Sequence, residues 1–249
     1  MLQHKLLRIS SEDRDVDISP STAEFSVNFN NMGDVSNIKS VVVKSITIPN
    51  VFHNITPKNN TLTYNIAGTP TSVTIAEGQY NLADFKTALE AAASGIGLVI
   101  TKNDISNRLL LATTTAVEWM DGKTNAMAEV LGIEIGRGSG ADVTEFTPQG
   151  VVNLSGLRHV YVESVALGQS NMIRSNRSAL SILAVVPITV PYGATEHYIT
   201  AHAGIDDVDN SSQRHGQPTQ KMDIRLLDRD GDVVNLMGHH ATLILKIYY

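Results

Sequence analysis

The stretch Lys221-Met-Asp-Ile-Arg-Leu-Leu-Asp-Arg-Asp-Gly-Asp-Val-Val-Asn-Leu-Met-Gly-His-His-Ala-Thr-Leu-Ile-Leu-Lys-Ile-Tyr-Tyr249 decides the fold class of this chain. It consists of an apolar run, a turn built on Asp230-Gly231, a short second run, a turn at Gly238, and a third run carrying Ala241, Leu243, Leu245 and Ile247. An Asp-Gly pair between alternating apolar residues is among the strongest short-range hairpin signals. Terminal segments fray unless a sheet or a core holds them, so the third run predicts a strand docked in a sheet. The expectation is a β-structure closed by its own tail, with the hairpin as its closing strand pair.

Working outward, the same period-two alternation predicts strands at 24–29, at 41–48 (stopped by Pro49) and at 61–66. Residues 1–20 read as an N-terminal arm, because Ser10-Ser11-Glu12-Asp13-Arg14-Asp15 is densely polar and Ser19-Pro20-Ser21 breaks what precedes the first strand. The segment 71–140 changes character. A strand at 72–75 leads through a turn to Asn81, an N-cap with Asp84 three residues on. Leu82, Phe85, Leu89 and Ala92 then share one helical face, and Gly95 is the expected stop. Strands at 98–101 and 108–112 follow, then a short helix at 125–131 capped by Gly132.

The β pattern resumes at 159–166, 180–186, 197–201, 222–227, 233–236 and 242–248. About nine strands around an α/β insertion predict a mainly β fold, a single jelly-roll sandwich of two antiparallel sheets. The jelly roll takes 21–70 and 141–249, and the small α/β subdomain takes 71–140. No repeat of 20–50 residues occurs, which excludes propellers and solenoids.

Composition narrows the function. The chain has 249 residues, 42% of them hydrophobic, which suffices for a real core. Charged residues make up 18%, below the roughly 25% of typical soluble proteins. That fits a surface covered by neighbours, and it fits equally a large β protein rich in Thr and Asn. The net charge is −6, and no Lys/Arg cluster offers the basic face that a sequence-independent nucleic-acid binder needs. Arg174 and Arg177, flanking Ser-Asn, read as a loop. With no cysteine there is no disulfide, thiolate metal site or Cys nucleophile. No apolar stretch reaches the ~18 residues of a membrane span, and the charged start of the chain does not read as a signal peptide.

Three constellations invite a chemical reading. His197, His202, His215, His239 and His240 crowd the last third, and Pro191-Tyr192-Gly193 before His197 is one residue away from a cupin-type metal box. In a strand, however, His197 and His202 point to opposite faces, as do His239 and His240. Asp228, Asp230 and Asp232 have the look of a calcium loop, but Gly231 falls at position four where an EF-hand needs it at six. A hairpin turn is the simpler reading, which leaves room for an adventitious calcium ion. Gly136, Gly138 and Gly140 lack the strand–loop–helix setting of a phosphate loop and read as a flexible loop. No Gly-x-Ser-x-Gly elbow occurs. The expectation is no catalytic residue, no cofactor, no metal site, and no enzyme.

The order of weaker motifs carries a resemblance. Ile9-Ser10-Ser11-Glu12-Asp13-Arg14-Asp15, Glu24-Phe25-Ser26-Val27, Val43-Lys44-Ser45-Ile46-Thr47-Ile48-Pro49-Asn50 and Asn59-Asn60-Thr61-Leu62 resemble the start of minor capsid (penton) proteins. These belong to double-stranded DNA viruses with double-jelly-roll major capsid proteins, with virophages and polinton-like viruses nearest. Thr74-Ile75-Ala76-Glu77-Gly78-Gln79-Tyr80 before Leu82, and the ending Leu227-Asp228 through Gly238, are similar to theirs as well.

The resemblance implies a homopentamer at each five-fold vertex of a virion, made in the host cytoplasm and ringed by double-jelly-roll major capsid proteins. It implies an arm running inward or along the neighbours, and an insertion turned toward a host-cell receptor. The alternatives are a viral spike, tail or lectin-like module that holds a glycan or host protein through the insertion or the 204–220 loop, and a cupin-like metalloenzyme. Trp119, the one tryptophan, is a thin supply of the exposed aromatics that sugar sites favour.

Overall fold

The computed structural model describes residues 4–14, 21–28, 40–164, 172–174, 179–199, 212–213 and 221–248. In chain order the strands begin with β1 (His4–Ser10), β2 (Glu24–Asn28), β3 (Ser40–Pro49), β4 (Thr61–Ile66) and β5 (Thr69–Thr74). Helix α1 (Leu82–Ala92) precedes β6 (Val99–Lys102) and β7 (Leu109–Trp119), and α2 (Ala128–Leu131) precedes β8 (Val143–Phe146). Then come β9 (His159–Glu163), β10 (Met172–Arg174), β11 (Ala179–Pro187), β12 (Thr195–Ile199), β13 (Ser212–Gln213), β14 (Lys221–Leu227) and β15 (Thr242–Tyr248). The chain divides into one unit made of Met1–Phe52 with Leu157–Tyr249 and a second made of His53–Gly156.

The first unit is a sandwich of two five-stranded antiparallel sheets. One runs β1-β15-β3-β12 with β13 also on β3, the other β10-β11-β9-β14-β2. Alternate residues of each sheet meet in one core. Leu7, Ile9, Ile46, Ile48, Leu243 and Leu245 enter from the first sheet, and Phe25, Val160, Val162, Met222, Ile224 and Leu226 from the second. The mainly β jelly-roll expectation is met, and β15 is docked on both edges, against β1 and β3.

The tail is a hairpin only next to the Asp230-Gly231 turn, where Asp228 N–H donates to Asp232 O and Val234 N–H to Leu226 O, each at 2.9 Å. β14 and β15 lie in different sheets. Val233 makes only an isolated bridge with Leu227, and 233–236 is no strand. The Val-Val-Asn-Leu alternation serves a crossing instead, with Val234 and Leu236 buried in the core between the sheets. Met237 and Gly238, both at positive φ (52° and 79°), then turn the chain into β15.

The N-terminal arm also gives way, within the described residues, to structure. β1 pairs with β15 over seven positions from His4↔Tyr248 to Ser10↔Thr242. Ser10 and Ser11, polar enough to suggest an arm, are buried. Ser10 Oγ accepts the Glu12 N–H at 3.2 Å, and Ser11 Oγ accepts the Ala241 N–H at 3.0 Å. Hydroxyls that find backbone donors can be buried without loss. Residues 15–20 of the expected arm lie outside the described residues.

The second unit holds a sheet in the order β5-β4-β7-β6, with β8 on β7. It is wider than the 71–140 expected, because β4 and β8 belong to it. β4 alternates like any sandwich strand, but Leu62 and Tyr64 pack with Trp119, Leu111 and Met127 rather than in the core of the first unit. α1 presents the expected face: Phe85 and Leu89 are fully buried, with Leu82 and Ala92 against the same core. Asn81 Oδ1 caps it by accepting the Asp84 N–H at 2.9 Å. Gly95 is not its stop. The helix ends at Ala92, a single 3-10 turn follows, and Gly97 at φ 61° reverses the chain. β7 runs well past the expected 108–112, since Thr113, Thr114 and Thr115 hide the continuation in a polar run.

Candidate functional site

Among the described residues, those singled out by the sequence are not grouped into a metal site. His197 lies on β12 opposite Thr47 of β3, with Nδ1 2.6 Å from Thr47 Oγ1. His240 Nδ1 is 3.3 Å from Ser11 Oγ at the start of β15. His239 is exposed, and its N–H caps the Leu236 carbonyl at 2.9 Å. His202 and His215 lie outside the described residues, as do Arg177 and most of the 204–220 loop, whereas Arg174 closes β10. Among the described residues no three His, Asp or Glu side chains are grouped to hold a metal ion.

The Asp228–Asp232 segment is a turn closed on itself. Asp228 Oδ1 accepts the N–H groups of Asp230 (2.9 Å) and Asp232 (3.0 Å), Asp228 N–H donates to Asp232 O (2.9 Å), and Gly231 takes φ 84°. That is the work of an Asx turn. The glycine-rich loop is hydrogen-bonded to the end of β7 and to the turn that follows it. Trp119 N–H donates to Ser139 Oγ at 2.8 Å, Ser139 N–H returns to Trp119 O at 3.0 Å, and Gly136 N–H reaches Asp121 Oδ2 at 2.7 Å. Trp119 is 1% exposed and stacks on Phe146 with centroids 6.3 Å apart, so it offers no platform to a sugar. Burial beside it pushes the Tyr64 phenol up.

Two buried carboxylates escaped the sequence reading, since acidic residues in a strand look like surface positions. Glu196 Oε2 accepts the Thr189 N–H (2.7 Å), the Thr189 hydroxyl (2.8 Å) and the Val190 N–H (3.3 Å). Burial alone would raise its pKa, but these bonds and one from the His197 backbone outweigh it and hold the carboxyl below the ordinary glutamate value. Glu163, 3% exposed, accepts Arg225 Nη1 at 2.9 Å, while Arg225 Nε lies 3.3 Å from Glu24 on the other neighbouring strand. The first cluster ties the connection between β11 and β12 to β12, and the second ties β14 to β9 and β2.

What remains is surface. With Leu243, Leu245 and Ile247 turned into the core, Thr242, Ile244, Lys246 and Tyr248 face outward. The register lines Ile244 up with Arg8 on one side and Ser45 on the other, and Ser45 with Ile199. Lys246 Nζ lies 4.8 Å from the Tyr248 ring centroid, with the His4 ring 6.0 Å from the same ring. Leu6, Ile199 and Ile244 are 66%, 45% and 36% exposed.

No family model matches the chain, and no curated protein matches it. Among solved structures it is similar to the selenomethionine-labelled mavirus penton protein, with a TM-score of 0.56 at 11% identity over 99% of this chain and 99% of that chain. The fold is penton-like. That likeness spans both units, the sandwich and the antiparallel sheet that lies between β3 and β9 in the chain. No helix among the described residues is long and apolar enough to cross a membrane.

Proposed function

We propose that the chain is a structural capsid protein that assembles as a homopentamer at the five-fold vertices of an icosahedral double-stranded DNA virus. Neighbouring major capsid proteins ring it, and it carries out no catalysis. The observation that supports this reading is the end-to-end likeness to a penton protein, 99% of each chain, including the inserted unit. A likeness confined to the sandwich would speak only of a jelly roll, which hosts many functions. A five-fold ring closes through a heterologous contact, two different patches of each subunit meeting. It needs a large matched area rather than a few reactive groups.

Sedimentation and electron microscopy of the purified protein test the proposal. The expected particle is a ring of five copies of 26.9 kDa. A monomer at every concentration, absent from virions, overturns it.

A further inference from the structure

We propose that the outward face of the sheet β1-β15-β3-β12 is where a second copy of the chain docks, through a patch other than this same face. The inference rests on the self-assembly reading and adds the surface that performs it.

The face combines an apolar stripe with a one-sided charge. Leu6 and Ile244 are diagonal neighbours, because Leu6 pairs with Lys246, two residues along β15; such diagonal pairs sit within reach across a sheet. Ile199 continues the line beyond the small Ser45. Solvent faces of antiparallel sheets are ordinarily polar, so three exposed aliphatic side chains in one line need an occupant more than scattered ones would. Around them stand Arg8, Lys246, His4 and His197. Among the described residues, no outward position of β1, β15 or β12 carries a carboxylate, nor do Ser45 and Thr47 of β3.

The chain as a whole has net charge −6. The excess acid therefore lies elsewhere on every copy, for example at the exposed Glu12, Asp13, Glu24 and Asp232 of the same unit. A second copy is thus an acidic partner for this face. Two copies meeting face to face would set Arg8 and Lys246 against their own kind, which like-charge repulsion disfavours. The complement is a different, acidic patch, and unlike patches are what a closed ring uses. By strand spacing and rise the face measures about 20 by 20 Å. That is roughly half of the ~800 Å² each partner gives to a standard interface, so it forms the centre of the contact and flanking loops the rim.

Sedimentation velocity over a concentration series tests this with Leu6→Glu and Arg8→Glu, against Ile105→Ser, a 97% exposed residue of the other unit, as control. Leu6→Glu and Arg8→Glu are each expected to raise the concentration of half-assembly about tenfold or more, and added salt to weaken the wild-type assembly. The control and the circular dichroism of all three are expected to stay unchanged. If Leu6→Glu lowers the melting temperature, Arg8→Glu on the exposed side of β1 decides. Variants that assemble like wild type overturn the proposed face and leave self-assembly standing. A wild type that stays monomeric overturns the self-assembly reading, and the proposed face with it. Binding of wild type to phosphatidylserine vesicles or single-stranded DNA, lost in both variants while assembly persists, assigns the face to another acidic ligand and overturns the proposal.

Discussion

Ser11 and Ala241, 230 positions apart, exchange two hydrogen bonds: Ser11 N–H donates to Ala241 O at 2.9 Å, and Ala241 N–H donates to Ser11 Oγ at 3.0 Å. The pair locks the end of β1 onto the start of β15, where both residues are fully buried. One hydroxyl thus satisfies a buried backbone donor that water does not reach.

Ser11→Ala is therefore expected to strand the Ala241 N–H and destabilise the sandwich by about 1–3 kcal/mol. Urea unfolding of the variant against wild type measures it, and a loss within error of zero would show that another acceptor takes over.

Arg225 bridges Glu24 and Glu163 across three strands. Arg225→Met leaves the buried Glu163 carboxylate without this partner. The expected loss lies toward the low end of about 3–5 kcal/mol, since 33% of the Arg225 side chain meets water. Adding Glu163→Gln should recover part of it. A double variant no more stable than the single one would rule out electrostatics as the cause.

Glu196 ties stability to pH. Its folded pKa is lowered, so its contribution is fully present above the unfolded value near 4.5 and is lost as pH falls through the depressed folded value. Melting temperature against pH should fall less steeply on acidification in Glu196→Gln than in wild type. Parallel curves for the two proteins would contradict the assignment.

Gly132, at φ 77°, caps α2 where a Cβ would come within 2.6 Å of the Gly150 carbonyl. Gly136 has the same φ and nothing within 4 Å. Gly136→Ala should cost about 1–2 kcal/mol, the handedness penalty alone. Gly132→Ala should cost distinctly more, because backbone must move. Equal melting temperatures for the two variants would remove the packing argument.

Much of this was legible in local sequence. The alternation of Leu243, Leu245 and Ile247 determined a docked final strand, and the spacing of Phe85 and Leu89 with Asn81 ahead of them determined α1 and its cap. Each signal is local: a side-chain period set by backbone geometry, or a cap reaching three residues. Asp228 likewise makes its turn with neighbours two and four residues away, so the composition of that segment alone specified it.

What only the tertiary structure decided is which strand lies beside which. Val233 to Leu236 alternates like a strand and crosses between sheets. Leu62 and Tyr64 alternate like sandwich residues and serve the other unit's core. Ser10 and Ser11 look solvated and are buried, because their partners, Ala241 and Thr242, are far along the chain. Period two states that one side of a segment is apolar, but it carries no information about which apolar surface covers that side. The exposed stripe of Leu6, Ile244 and Ile199 has the same origin: three residues on three strands form a line only once β1, β15, β3 and β12 have paired in register.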